Sequence, residues 1–281
     1  MLLGAHLSIA GGLHRALERA HEYGFDCVAL FLHNQRQWKP PPLTRQAIDR
    51  FHATRQRLQL KEVVAHAPYL VNLAGRTAVR QKSIAAMRED IKRCQQLGIK
   101  YLVLHPGSNP NLEKGINLIA DALNHLIEDG GDTTKILLET TAGQGNSIGY
   151  RFEHLSAIID RLDKPQAVGL CLDTCHIFAA GYDIRSARAY RKTMETFERI
   201  IGLEKLKVIH LNDSLKDLGS RIDRHWHIGR GRIGLEGFGN IVNDPRLQAL
   251  PMILETPKGH TENGLDWDTI NADTIRSLLR R

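Results

Sequence analysis

Val168-Gly-Leu-Cys-Leu-Asp173, continued by Thr174-Cys-His-Ile-Phe-Ala-Ala-Gly-Tyr182, is the stretch on which the architecture turns. Val168 to Leu172 is a short apolar run of the kind that forms a strand buried on both faces. It ends abruptly on Asp173, and His176 follows three residues later on the turn leaving the strand. A carboxylate closing a buried strand is costly unless a positive group meets it there. The nearby imidazole suggests a metal ion, although Asp beside His is more often a surface hydrogen bond. Recurrence along the chain favours the metal.

Strands and helices alternate outward from this stretch in both directions. Leu2–His6 reads as a strand and Gly11–Tyr23 as a helix; Cys27–Leu32 is a second strand. The loop Asn34-Gln-Arg-Gln-Trp-Lys-Pro-Pro-Pro42 stops any helix, and Thr44 is the expected N-cap of the next one. Glu62–Ala65 forms a strand ending on His66, followed by a long helix over Thr77–Leu97. Lys100–Leu104 ends on His105, and a helix covers Asn117–Asp129. Lys135–Leu138 ends on Glu139, with a helix over Phe152–Leu162. After the Asp173 strand comes a helix from about Ser186 to Ile201. Lys205–Ile209 ends on His210, and after a long insertion Pro251–Leu254 ends on Glu255. A last helix lies around Trp267–Leu279.

Eight strands alternating with helices describe a (β/α)8 TIM barrel, expected as a single domain over residues 1–281. A doubly wound open sheet is the competing α/β fold, but no G-x-G-x-x-G follows the first strand. In a barrel the carboxyl ends of all the strands converge on one face. His66, His105, Glu139, Asp173, His210 and Glu255 would therefore meet in one bowl. Six consecutive strands ending on metal-type ligands are hard to attribute to chance.

Composition narrows the class. The chain has 281 residues, 42% of them hydrophobic, enough for a large core. No run approaches a membrane span and no signal-type segment opens the sequence, so a cytoplasmic location and no membrane partner are expected. Cys27, Cys94, Cys171 and Cys175 lack C-x-x-C spacing and read as free buried thiols. The formal charge of +7 suits a polyanionic partner without proving one.

The insertion before the last strand adds Asp223-Arg-His225-Trp-His227. Such a segment is ordinarily a polar loop, yet Asp223 and His225 with His176 would complete a tetrahedral site with an open position. The resulting nine ligands, five imidazoles and four carboxylates, are too many for one ion. With Glu139 bridging they suit three. Nitrogen and oxygen ligands of this kind fit zinc, with manganese or iron possible by substitution.

These residues lie in stretches that resemble the endonuclease IV family of apurinic/apyrimidinic endonucleases over essentially the whole chain. They are Gly4-Ala-His-Leu-Ser-Ile-Ala-Gly-Gly12, Asn34-Gln-Arg-Gln-Trp38, His66-Ala-Pro-Tyr-Leu-Val-Asn-Leu73, His105-Pro-Gly-Ser108 and Glu139-Thr-Thr-Ala-Gly-Gln-Gly145. Further on come Leu172-Asp-Thr-Cys-His-Ile-Phe-Ala-Ala-Gly-Tyr-Asp183, His210-Leu-Asn-Asp213, Asp223-Arg-His225 and Leu254-Glu-Thr256. The resemblance implies three Zn2+ per chain: one on His66, His105 and Glu139, one on Glu139, Asp173, His210 and Glu255, and one on His176, Asp223 and His225. It implies cleavage 5′ to abasic sites in double-stranded DNA, giving a 3′-hydroxyl and a 5′-deoxyribose phosphate, and trimming of blocked 3′ ends. A monomer is expected. Arg230 departs from the Glu or Lys that relatives often carry, which would bear on DNA contacts rather than on the ligands.

Arg36, Tyr69 and Leu70 fall in loops on the ligand face and match the family's wedge positions. They would enter the base stack and hold an abasic gap open, where extrusion costs least; ordinary loop packing is the alternative. His6 and His33 also sit near strand ends and are expected in supporting or loop roles. His227 stays outside the ligand set. His14, His21, His52, His125, His154 and His260 read as helix-surface or loop residues. Two rival functions remain open from the residues alone. A single-metal sugar isomerase or epimerase would use only Glu139, Asp173, His210 and Glu255. A non-catalytic nucleic-acid-binding or metal-storing protein would cleave nothing.

Overall fold

A computed structural model describes residues 1–130 and 133–280 of the chain. Strand β1 (Leu2–His6) pairs in parallel with β2 (Cys27–Phe31), Gly4 opposite Cys27, and with β8 (Pro251–Leu254), Gly4 opposite Ile253. Between β2 and β8 stand β3 (Glu62–His66), β4 (Tyr101–Leu104), β5 (Lys135–Glu139), β6 (Val168–Asp173) and β7 (Leu206–Leu211), each parallel to its neighbours. The eight strands close into a barrel, as the alternating pattern predicts.

Helices cover the outside: α1 (Leu13–Glu22), α2 (Arg45–Leu58), α3 (Thr77–Leu97), α4 (Leu112–Gly130) and α5 (Phe152–Ile159), then α6 (Thr174–Ala180), α7 (Ala187–Ile200), α8 (Gly234–Val242) and α9 (Trp267–Ser277). Their starts follow local chemistry. Thr44 Oγ1 accepts from Ala47 N at 3.2 Å to cap α2, as expected, and Ser186 Oγ caps α7 through Ala189 N at 3.3 Å. α3 ends on Gly98, whose φ of 62° suits a residue without a Cβ.

Two apolar layers result from the two-residue period of the strands. Outward-facing residues such as Val63, Ala65, Leu102, Leu138 and Leu170 pack under the helices. Inward-facing Cys27, Ala29, Val64, Val103, Leu137, Cys171, Val208 and Ile253 fill the barrel. Two residues beyond an inward core residue, the chain again faces inward, at the carboxyl end. Val64 is thus followed by His66, Val103 by His105, Leu137 by Glu139, Cys171 by Asp173, Val208 by His210 and Ile253 by Glu255.

One strand reaches this pattern only through an irregularity. β6 and β7 pair Leu170 with Leu206 but then Cys171 with Val208, so β7 carries an extra residue. That shift switches its facing parity and sets His210 opposite Asp173.

Some local structure departs from the sequence reading. His176 lies on the short helix α6 rather than on a turn, because Asp173 Oδ1 accepts from His176 N at 2.8 Å and caps it. The segment between β7 and β8, read as an insertion, contains the barrel helix α8, whose glycine content obscured it. Two-residue strand pairs, Gly107–Ser108 with Ser147–Ile148 and Asp213–Ser214 with His225–Trp226, tie loops together on the ligand face. Among the described residues, no helix is long and apolar enough to cross a membrane.

The closure of β1 onto β2 leaves no room for a side chain at Gly4. A Cβ there would lie 2.2 Å from the Cys27 carbonyl oxygen, a backbone atom held by the sheet. Gly4→Ala should therefore destabilise the barrel by roughly 2 kcal/mol in denaturant unfolding. An unchanged midpoint would show that the β1–β2 approach is loose.

Candidate metal centre

Glu139 is wholly buried at the centre of the bowl. Its Oε2 lies 3.0 Å from His66 Nε2 and 3.1 Å from His105 Nε2, and its Oε1 lies 2.9 Å from His210 Nδ1. His210 Nδ1 also stands 3.1 Å from Glu255 Oε2 and 4.0 Å from Asp173 Oδ2. To one side, His176 Nε2 is 3.1 Å from Asp223 Oδ2 and 3.3 Å from His225 Nε2, while His225 Nε2 is 3.4 Å from Asp223 Oδ1. All nine residues singled out in the sequence as ligands come together, although they span Glu255, just after β8, back to His66 on β3.

The side chains of two groups come together: Glu139, Asp173, His210 and Glu255, and His176, Asp223 and His225. In each, the donor atoms lie within 4.8 Å of one another. The third grouping differs in detail. His66 and His105 both touch Glu139 Oε2, but the triplets whose donors all lie within 4.8 Å of one another set His66 with His210 and His105 with His176 around that carboxylate.

The donor set fits metal ions on two counts. The buried carboxylates of Glu139 and Asp173 and the partly buried one of Glu255 are met by imidazoles, with no Lys or Arg ion pair among the described residues. Buried carboxylates demand positive charge, which the imidazoles supply only while they hold extra protons and which a bound cation would supply in their place. Secondly, the His176, His225 and Asp223 donors stand 3.1–3.4 Å apart. A tetrahedral ion with bonds of ~2.0–2.1 Å has ligand edges of about 3.3 Å.

Ring orientation agrees. His66 Nδ1 donates to Ala67 O at 2.7 Å, His176 Nδ1 to Thr140 O at 2.8 Å, and His225 Nδ1 to Glu255 O at 3.1 Å. A carbonyl can only accept, so in each ring Nδ1 carries a proton and Nε2 is the nitrogen left to ligate once it has given up any proton of its own.

Electrostatics follow from this crowding. Burial alone would raise the Glu139 carboxyl, but the His210 and His105 imidazoles hold it well below the usual carboxylate range. Burial works against charge on His176, yet Asp173 and Asp223 raise it well above an ordinary imidazole. His66 is raised in the same way by Glu139 against the effect of burial. Cys175 comes within reach of Asp173 and His225, and burial pushes its thiol up to about 12.

Several supporting residues were invisible in the sequence. Asn212, wholly buried, donates from Nδ2 to Asp173 Oδ2 at 2.6 Å and accepts on Oδ1 from Glu255 N at 2.8 Å, fixing two carboxylate strands at once. Thr140 Oγ1 accepts from Asp173 N at 2.9 Å, and Gln144 Oε1 accepts from Asp223 N at 3.0 Å. Asp213 accepts from the backbone N–H groups of Ser214, Gly231 and Ile233 and so shapes the loop after Asp223 and His225. The motifs His210-Leu-Asn-Asp213 and Glu139-Thr-Thr-Ala-Gly-Gln-Gly145, which contain them, held the only hint.

The other histidines sort clearly. His6 Nδ1 contacts Glu255 Oε1 at 2.8 Å, a supporting role as expected. His227 stacks on Trp267 at 3.7 Å and faces away from the ligands. His21, His52, His125 and His260 are exposed. His14 and His154, read as surface or loop residues, are buried instead, because each lies on the inner face of its helix beside apolar neighbours.

A cleft over the bowl is lined by Tyr69, Asn72, His105, Gln144, His176 and Asp223. Tyr69 is 62% and Leu70 38% exposed, so neither is a core residue, and the Tyr69 ring sits 5.8 Å from those of His66 and His105. Arg36 is exposed on a neighbouring cleft shared with His6 and Lys258.

The family model described as "Xylose isomerase-like TIM barrel" matches residues 17–280, which defines the broad class. The chain is 48% identical to a probable endonuclease 4 of Chloroflexus aggregans, covering 99% of this chain and 97% of that protein. It is 46% identical to a probable endonuclease 4 of Geobacter sulfurreducens, covering 99% and 95%. The crystal structure of endonuclease IV from Thermus thermophilus superposes with a TM-score of 0.87 at 36% identity, covering 99% of this chain and 98% of that one. A D-tagatose 3-epimerase-like protein shares the fold, with a TM-score of 0.75 at 21% identity over 99% of this chain and 97% of that one. Within the xylose isomerase-like barrels, this chain belongs to the endonuclease IV family of apurinic/apyrimidinic endonucleases.

Because His66 and His176 hold protons above the ordinary imidazole range, ions entering among them must displace those protons. Adding Zn2+ to chelator-treated protein in weakly buffered solution at neutral pH should release protons and raise the melting temperature. Zinc uptake without proton release would contradict this protonation pattern.

Proposed function

We propose that the chain hydrolyses the phosphodiester 5′ to an abasic site in duplex DNA, leaving a 3′-hydroxyl and a 5′-deoxyribose phosphate, and trims blocked 3′ ends. Three zinc ions per chain would serve the reaction, with manganese or iron able to substitute. Family membership supports the coarser part, an endonuclease of DNA repair. The observation that carries the finer part is the nine-donor constellation around Glu139. A single-metal epimerase needs only Glu139, Asp173, His210 and Glu255 and would leave His66, His105, His176, Asp223 and His225 without a task.

In this reading His66, His105 and Glu139 hold one ion, Glu139, Asp173, His210 and Glu255 a second, and His176, Asp223 and His225 a third. Bound zinc supplies Lewis acidity, acidifying water toward a pKa of ~7 and neutralising charge on the phosphate. Glu139, kept anionic by its imidazole neighbours, joins the first two groups of residues and would orient an attacking water beside them. His176 and Asp223 line the open cleft, where the departing 3′ oxygen would lie. No side-chain nucleophile is required, and the buried thiols of Cys171 and Cys175, pushed up to about 12, are unsuited to be one. All nine donors come from one chain, which supports action as a monomer.

Tyr69, Leu70 and Arg36 would engage the DNA before chemistry. Tyr69 and Leu70 project beside the bowl and can fill the space of a missing base, while Arg36 enters from the adjacent turn.

Two experiments test the proposal. Fully loaded protein should contain close to three zinc ions and incise an abasic duplex. Glu139→Gln removes the joining charge at similar shape, and incision should fall by at least ~10²-fold with the fold intact. Activity within a few-fold of the parent at equal metal content would remove Glu139 from the joining role.

Replacing Tyr69 and Leu70 together by Ala should leave metal content and melting temperature nearly unchanged. Incision of the abasic duplex should drop, whereas removal of an exposed 3′-phosphate should suffer less, since it needs less distortion of the duplex. Equal losses on both substrates with a clear fall in melting temperature would mark them as packing residues.

A further inference from the structure

The Arg36 turn is held from behind by one turn of helix α3. Asn34 O accepts from Gln37 N at 3.0 Å and Asn34 Oδ1 from Arg36 N at 3.0 Å, which sets Arg36 at the tip. His33 Nδ1 also faces Asn34 O, at 3.0 Å, and on its other side His33 Nε2 lies 3.1 Å from Asp90 Oδ1. Asp90 is wholly buried on α3, and its carboxylate finds no hydrogen-bond donor of good geometry among the described residues, so ion pairing with His33 is its compensation. One turn further along, buried Arg93 donates to Leu32 O at 3.2 Å and to Pro41 O, the two ends of the same loop.

We infer that Asp90 and His33 are positioning residues for Arg36, acting on DNA engagement and not on the chemistry of the bowl. The inference rests on the wedge role proposed for Arg36. Physically, a surface arginine at the tip of a four-residue turn would sample many directions; a turn whose defining carbonyl is gripped by His33, itself pinned by a buried carboxylate, presents it in one. A buried charge pair is a poor source of stability in general, and its retention here at the base of an exposed arginine turn is better explained by orientation. Arg93 clamps the loop ends, so the loop survives loss of the pair, and only the tip is released.

The test is a double-mutant cycle on the zinc-loaded full chain with an abasic duplex. Asp90→Asn keeps the shape and removes the charge. It should raise KM roughly tenfold with kcat little changed, and leave metal content and removal of an exposed 3′-phosphate as in the parent. Arg36→Ala should weaken incision by itself, and adding Asp90→Asn to it should cost almost nothing more. His33→Gln, which cannot grip Asn34 O and Asp90 together, should reproduce Asp90→Asn and covers the case in which that variant folds poorly. Additive losses in the double variant, or equal loss on both substrates with a lower melting temperature, would overturn the positioning role. If Arg36→Ala alone has no effect on a parent that does incise, the wedge assignment of Arg36 fails instead.

Discussion

Glu139 is the constraint on which the site depends. A fully buried carboxylate is among the least favourable things a barrel can hold, and this one touches His66, His105 and His210 within 3.1 Å, with His176 at 3.4 Å. None of these imidazoles is a permanent cation. The arrangement therefore makes sense as a pre-formed cradle for positive ions, in which the carboxylate joins groups that would otherwise be separate. Asp173 and Glu255 repeat the arrangement beside it, and Asn212 ties the two together through one side chain.

Strand geometry makes such a cradle inexpensive to build. Inward residues of successive strands already pack the barrel with Val64, Val103, Leu137, Cys171, Val208 and Ile253. Moving two residues up each strand changes side-chain chemistry without changing direction. The apolar layer below supplies the stability, and the polar layer above it supplies the donors, so the two requirements are met by adjacent tiers of one structure. The bulge in β7 belongs to the same logic, since it is what turns His210 toward Asp173.

The loops on this face are less free than their composition suggests. Asp223 and His225 lie in a polar segment, yet Gln144, the Glu255 carbonyl, the short pairing with Asp213–Ser214 and the three-way grip of Asp213 hold it in place. The Arg36 turn is gripped by α3 in a comparable way. Under the proposed function, loops held in this way would leave the bending to the DNA.

From the sequence alone, the barrel and the six strand-end donors were legible, because burial imposes apolar runs and a single change of chemistry at a strand's end is conspicuous. His66, His105, Glu139, Asp173, His210 and Glu255 each stood directly after such a run. His176, Asp223 and His225 needed the family resemblance as well, since local pattern could not separate them from a polar loop. What tertiary structure alone decided were matters of direction and distance. The extra residue in β7, the capping of α6 by Asp173, the burial of His14 and His154, and the gathering of Asn212, Thr140 and Gln144 around the donors all depend on contacts between segments far apart in the chain. Asp90 and Arg93 read as ordinary polar positions of a long helix; only the packing of α3 beneath the Arg36 loop makes them its anchor, because a side chain's role there is set by what the neighbouring element brings to it.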